Sequence, residues 1–193
     1  VGEVQVAQPA DRAAVLATVV AAFASDPCWT YLLGADYPRL APLFAGALFD
    51  QRVGDGTVWM RADAGSVALW DRPGAAEDHG RGGHWAAFDR EAGPGPRARL
   101  AAYDAALATA SPAAPFWYLG VLATHPDRWG TGLATAVIEP GMARADEDGL
   151  ACCLETSTTA NRDFYQRRGF TAAAPVPFDG GPPTWWMTRP ARD

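Results

Sequence analysis

The chain has 193 residues, room for one domain or one domain with an elaborated insertion, and none for a second catalytic domain. Hydrophobic residues make up 49% and aromatic residues 11%, enough to bury a core, which excludes a disordered or fibrous chain. Sixteen basic residues against 22 acidic ones leave a net charge of −6, and no basic run offers a track for a phosphate backbone, so nucleic acid is not an expected partner.

Residues 4–7 read as a short strand. Residues 13–24 are apolar and end in Ala22-Phe23-Ala24, which imitates a secretion signal, but Glu3, Asp11 and Arg12 stand where a positively charged leader belongs. Val15, Leu16, Val19, Val20 and Phe23 recur at helical spacing behind Asp11, an expected N-cap, so the run is read as an ordinary first helix. It is too short to span a bilayer, and no membrane partner is expected. A loop over 25–37 carrying Asp26, Trp29, Tyr31 and Tyr37 leads to a second helix over 38–52. Strands over 57–61 and 66–71 flank Asp63-Ala64-Gly65, a hairpin signal.

Residues 72–96, rich in Gly with prolines at both ends, read as irregular or briefly helical, and 97–110 as a helix with Leu100, Tyr103 and Leu107 along one face. The stretch 72–114 is taken as a Gly-rich insertion in one domain spanning 1–193. A continuous apolar strand over 116–123 closes at His125-Pro126, and a glycine-bearing turn opens a helix over 132–148. A buried strand over 151–155, a helix over 160–168 capped by Gly169, and strands over 170–175 and 184–189 complete the chain. The fold class is α/β with a mixed, mostly antiparallel central sheet flanked by helices.

Three cysteines, two of them the adjacent Cys152 and Cys153, do not make a disulfide framework, and the thiols suit a reducing cytoplasm. His79, His84 and His125 are scattered and no His/Cys cluster has metal spacing, so no metal is expected. All basic residues are Arg, which excludes the Walker-type phosphate loop and its Lys. The segment Arg128-Trp129-Gly130-Thr131-Gly132-Leu133-Ala134 between strand and helix can turn backbone N–H groups toward a pyrophosphate; read alone, it is equally a turn that needs Gly for its dihedrals. A dinucleotide fingerprint wants a third glycine where Thr135 stands, which disfavours hydride chemistry. Asn161 and Tyr165 lie one turn apart on one helical face. A phenol, with a reference pKa of about 10, keeps its proton at neutral pH and can give it to a leaving thiolate. The alternative is a tyrosine that packs a short helix.

In this order, the two segments resemble the GNAT superfamily of acetyl-CoA-dependent N-acyltransferases. The resemblance extends over Ala21 to Ala24, Val58-Trp59, Val67-Ala68-Leu69-Trp70, His125-Pro126-Asp127, Leu154-Glu155-Thr156-Ser157, Asn161 to Phe170 and Trp186-Met187-Thr188-Arg189. Within that superfamily the likeness is nearest to the puromycin N-acetyltransferases. It implies a GNAT fold whose splayed strand, 116–123, holds acetyl-CoA, with backbone contacts at Leu122 and Ala123. Arg128, Trp129, Gly130, Thr131, Gly132, Leu133 and Ala134 are implied around the pyrophosphate. The family pattern Gln/Arg-x-x-Gly-x-Gly/Ala maps Gly132 and Ala134 onto its small positions but puts Trp129 where Gln or Arg is usual, with Arg128 displaced by one. Asn161 is implied to orient pantetheine and Tyr165 to act as general acid to the thiolate.

The strand 116–123 carries no acid, so Glu155 is the candidate base, with Asp26 and His125 behind it. Asp26, Trp29 and Tyr31 are the candidate acceptor-binding residues, with Tyr37, Phe44, Trp85 and Tyr103 in the same regions. An aromatic-lined site suits a small amine with a flat or apolar body, such as an aminoacyl nucleoside antibiotic, better than a polycationic aminoglycoside that wants many carboxylates. The expectation is therefore a cytoplasmic N-acetyltransferase of a small primary amine, monomeric or homodimeric, of the kind that confers antibiotic resistance. The alternatives are a catalytically dead acyl-CoA sensor, to which Trp129 points, and a transferase acting on a protein amine.

Overall fold

The computed structural model describes residues 3–75, 82–113 and 115–192. Residues 76–81 of the expected insertion, His79 among them, and residue 114 lie outside the described residues. Strand β1 (Val4–Val6) precedes helix α1 (Arg12–Ala22), α2 (Pro27–Leu33) and α3 (Tyr37–Val53). The hairpin β2 (Val58–Arg61) and β3 (Ser66–Asp71) follows, then α4 (Ala86–Glu91) and α5 (Pro94–Ala110). Strand β4 (Phe116–Thr124), α6 (Leu133–Glu147), β5 (Ala151–Thr156), α7 (Thr159–Gln166), β6 (Thr171–Val176) and β7 (Thr184–Arg189) complete the order.

The strands form one seven-stranded sheet in the order β1-β2-β3-β4-β5-β7-β6, with β4 and β5 its parallel pair and all other neighbours antiparallel. This is the expected mixed, mostly antiparallel α/β sheet, and it matches the GNAT fold. Valines 15 and 19 of α1, Leu40, Phe44 and Phe49 of α3 and Val121 and Ala123 of β4 fill a core on one face. Trp70, Trp117, Leu119 and Leu154 pack with Val137 and Ile138 of α6 on the other. Among the described residues no single helix is long and apolar enough to cross a membrane.

Two features of β4 set up the site. Leu69 pairs with Val121 but Trp70 pairs with Leu119, so Gly120 is an extra, bulged residue. The bulge reverses the inside-outside alternation, which is why Trp117 and Leu119 join the α6-side core while Val121 and Ala123 join the other. Pairing with β5 covers only Phe116 to Tyr118, against Ala151 to Cys153. Beyond that point β4 stays paired with β3 as far as Thr124, and β5 with β7 as far as Thr156, so the two strands part and open a wedge in the middle of the sheet.

Three local expectations are corrected. Asp11 does not cap α1 with its side chain; its carboxylate accepts from the Gln8 backbone N–H at 2.7 Å, closing a box around a short 3₁₀ turn that leads into the helix. Residues 25–37 are not a loop: Asp26 caps α2 by accepting from the N–H groups of Cys28 and Trp29, both at 2.9 Å, and Pro27 occupies the first turn, where its missing N–H costs nothing. Helix α5 starts at Pro94, three residues earlier than expected, for the same reason.

Helix α6 lies close to the sheet at Gly141, where a Cβ would stand 2.3 Å from Cε2 of the fully buried Trp70. Overpacking of this kind costs about 1–3 kcal/mol and outweighs the roughly 1 kcal/mol of helix propensity that alanine gains over glycine. Gly141→Ala is accordingly expected to lower the urea midpoint without changing the slope of the transition, and an unchanged or raised midpoint would show that α6 shifts freely over Trp70.

Candidate active site

The wedge borders two adjoining cavities. The larger, about 590 Å³, lies between the parted edge of β4 (Leu122, Thr124), the turn before α6 and the N-terminal half of α7. Gly130 and Gly132 have φ of +76° and +80°, the left-handed region that glycine enters without strain. Nothing described lies within 4 Å of where their Cβ atoms would be, and Gly132 caps α6: its carbonyl accepts from the Thr135 N–H at 3.1 Å, while the N–H groups of Leu133 and Ala134 have no carbonyl inside the helix to bond. Such a cradle fits a pyrophosphate, and the parted backbone of β4 fits an extended chain bearing amides.

Of the residues expected to hold the cofactor, Leu122, Arg128, Trp129, Gly130, Gly132, Leu133, Ala134 and Asn161 line this cavity. Ala123 and Thr131 are not among its lining residues. The bulge turns the Ala123 side chain into the α1 and α3 core, and its carbonyl accepts from the Ser66 hydroxyl at 3.0 Å. The Thr131 hydroxyl is spent on the Arg128 carbonyl at 2.5 Å, inside the turn. Trp129 is 60% exposed, with its indole N–H donating to the Thr124 carbonyl at 2.8 Å, so its ring is held on the cavity rim where the family places Gln or Arg. Arg128 lies 3.3 Å from Asp63 of the β2–β3 turn, which divides its charge between the turn and the cavity. Arg167 also lines the cavity and was not singled out from the sequence. Arg168 fastens α7 to α6, donating to Thr135 Oγ1 and to the Phe164 carbonyl with its guanidinium over the Phe164 ring.

The second cavity, about 330 Å³, shares Phe23, Asp26, Leu122, Asn161 and Tyr165 with the first. Trp29, Phe44 and Trp85 form one wall, with ring centroids 4.8 Å apart for Trp29 and Phe44 and 5.4 Å for Phe44 and Trp85. Tyr31, expected here, is elsewhere: its hydroxyl donates to the Asp179 carbonyl at 2.6 Å and its ring packs on Phe178, which clasps the segment after β6. His125 sits at the 3₁₀ turn before Arg128, where its Nδ1 accepts from the Asp127 N–H, and lines neither cavity. Four carboxylates border this second cavity, Asp26, Asp71, Asp104 and Glu155. Asp71 is neutralised by the buried Arg52 at 2.6 Å, and Asp26 is committed to the α2 cap.

Glu155 is held from both sides. Tyr118 of β4 donates to its Oε2 at 2.5 Å and Tyr103 of α5 to its Oε1 at 3.0 Å. Burial pushes its carboxyl up to about 6, against the two phenols, which favour the charged form. It is therefore mostly ionised at neutral pH and close enough to titration to accept and release a proton. Tyr165, 7% exposed at the junction of the cavities, has its pKa raised by burial and then by the Glu155 charge, so it stays protonated. Sequence reasoning missed Tyr118, Arg52 and Asp71, and the contact of Tyr103 with Glu155, because the register of a parallel pair and the docking of α3 and α5 leave no local signal. Because the folded carboxyl binds its proton more tightly than the unfolded one, Glu155 stabilises less as pH rises from 4.5 through about 6. The shift corresponds to about 2 kcal/mol. Glu155→Gln should thus gain stability relative to the parent between pH 4 and 7.5 by up to about that amount, measured by urea unfolding at both values; a parallel pH response of the two proteins would deny the burial cost.

Residues 59–170 match the family model of the acetyltransferase (GNAT) family. The chain is similar to the solved structure of a histone acetyltransferase HPA2 and related acetyltransferase from Corynebacterium glutamicum, with 26% identity over 99% of this chain and 97% of that one and a TM-score of 0.67. It shares its fold with Drosophila melanogaster polyamine N-acetyltransferase, which forms N-acetylagmatine, at 15% identity, 96% of each chain and a TM-score of 0.65. Aedes aegypti arylalkylamine N-acetyltransferase 2 is comparable in fold, at 12% identity, 98% of this chain, 99% of that one and a TM-score of 0.65. The family match spans more than half of the sequence, and the chain belongs to the GNAT acetyltransferase family, whose members use acetyl-CoA.

Proposed function

We propose that this enzyme transfers an acetyl group from acetyl-CoA to the primary amine of a small acceptor with a flat or apolar body, by direct attack of the amine. The observation that carries the reading is the placement of Tyr165 where the two cavities meet, with Glu155 across the smaller one. The glycines at 130 and 132 and the first turn of α6 would hold the pyrophosphate, Leu122 and Asn161 the pantetheine arm, and Trp129 the rim. Acetyl-CoA supplies the activated acetyl group. Glu155 takes the proton that the ammonium must lose before it can attack, and Tyr165 offers its hydroxyl proton toward the cofactor cavity, where the thiolate departs.

The wall of Trp29, Phe44 and Trp85 supports an acceptor with a planar body, and an aminoacyl nucleoside of the puromycin kind has one. Polyamine and arylalkylamine acetyltransferases share the fold, and the carboxylates around this cavity are compatible with a cationic acceptor. With Asp71 and Asp26 already engaged, one cationic amine suits the site better than a polycation. The enclosing aromatic wall favours a small molecule over a protein terminus. A cytoplasmic enzyme in one domain, with a role in antibiotic or xenobiotic detoxification, is the reading these features support.

The test is thiol release from acetyl-CoA with a panel of amines led by puromycin. Release above blank is expected for aromatic primary amines, with Tyr165→Phe lowering kcat by about 10²-fold or more while CoA affinity is kept. Blank-level release across the whole panel would sink the proposal. Activity should also rise with pH through about 6 as Glu155 ionises and then level off; an acid limb that persists in Glu155→Gln would assign the base elsewhere.

A further inference from the structure

Glu155 has no oxygen without a phenol: Oε1 accepts from Tyr103 and Oε2 from Tyr118. Both phenols line the acceptor cavity beside the carboxylate, so an ammonium entering it meets tyrosine oxygens as well as Glu155. The two tyrosines differ. Tyr103 comes from helix α5 and Tyr118 from β4, and the hydrogen bond that Tyr118 makes to Glu155 is the shorter, 2.5 Å against 3.0 Å. Tyr118 is the last residue of β4 paired with β5, opposite Cys153, and Glu155 lies two residues beyond Cys153 on the same face. The bond between them bridges the two strands where the wedge opens. Gly120, two residues on, lets the Arg52 guanidinium approach, since a Cβ there would stand 2.7 Å from Arg52 Nη2 and 3.4 Å from Tyr118 Cε1.

We propose that Tyr118 is a further catalytic residue, a proton relay between the acceptor amine and Glu155. The phenol oxygen accepts a proton from the ammonium while the phenol O–H proton passes to Glu155 Oε2. The amine is left neutral, Tyr118 ends as it began, and Glu155 is protonated. No charge accumulates on the phenol, which suits a tyrosine whose anion is disfavoured by burial and by the adjacent carboxylate. Tyr103 of α5 and Tyr118 of β4 touch Glu155, and the cavity around it is also lined by Cys28 of α2, Tyr165 of α7, Asp26, Asp104 and the Arg52–Asp71 ion pair. The relay rests on the acetyltransfer reading with Glu155 as base.

Tyr118→Phe separates the relay from direct proton transfer, because it uncovers Glu155 Oε2. A relay predicts a fall in kcat of about 10²-fold with KM and CoA affinity little changed; direct transfer to Glu155 predicts kcat kept or raised, which would overturn the proposal. Replacing Tyr118 with 3-fluorotyrosine keeps the hydroxyl and the packing but makes the phenol more acidic. A shift in kcat and its pH profile is expected, and an identical profile would overturn the relay even if the Phe variant failed to fold. In the protein without substrates, ¹³C NMR titration of Glu155 should move upward in Tyr118→Phe as the carboxylate loses a donor, and an unmoved titration would show that the two are not coupled. Silence of the unmodified enzyme on every amine overturns the acetyltransfer reading, and full activity of Glu155→Gln overturns the base; turnover that survives in Tyr118→Phe alone overturns only the relay.

Discussion

The parting of β4 from β5 after three paired residues is the constraint on which the rest of the molecule depends. A sheet interior normally satisfies each backbone N–H and C=O across the strand, and buried groups left without partners are costly. Here the cost is contained because each strand keeps its other neighbour, β3 for β4 and β7 for β5. The facing edges are left to whatever enters the wedge, and an extended arm with amides of its own is the natural complement. Both cavities exist because of that opening, and they meet because it lies at the centre of the sheet.

The bulge at Gly120 is the second part of the same device. It reverses which side chains of β4 face which core, and the glycine leaves room for Arg52, whose pairing with Asp71 places a neutralised charge beside the smaller cavity. A buried ion pair of this kind adds little net stability, since desolvation offsets attraction. Its consequence here is positional, because it gives the buried carboxylate of Glu155 a cation in the vicinity while the phenols of Tyr103 and Tyr118 supply its hydrogen bonds. Desolvation still prevails over them, which leaves the group poised near neutrality.

The lining of the larger cavity was largely legible because it is local. Gly130 and Gly132 are needed for backbone reasons that a sequence states openly, and Asn161 and Tyr165 share a helical face by spacing alone. The misreadings share a cause. Asp26-Pro27 was a helix start taken for loop, because the aromatics that follow hid a short helix with no long period to show. The side chain of Ala123 faces the α1 and α3 core because of the bulge, which strand alternation alone does not show. Tyr31 lies in the aromatic segment of the acceptor wall, yet a contact with Asp179, far along the chain, takes it away.

What the sequence determined by itself, then, is most of the element order, the α/β class, the family, the turn that can cradle phosphate, and the two residue types, phenol and carboxylate, that can move protons. The family follows from the resemblance of motifs spread along the chain, and the others from periodicity, from glycine's access to positive φ and from intrinsic acidity, properties of a few neighbouring residues. The tertiary structure alone decided that Tyr103 and Tyr118 enclose Glu155, that Arg52 meets Asp71, and that Tyr165 stands between two cavities. Those placements depend on the register of β4 against β5 and on the docking of α3, α5 and α7 over the wedge. Residues brought together from helices and strands distant in the chain leave no periodic trace, and their acidity and reach are set by burial that only packing creates.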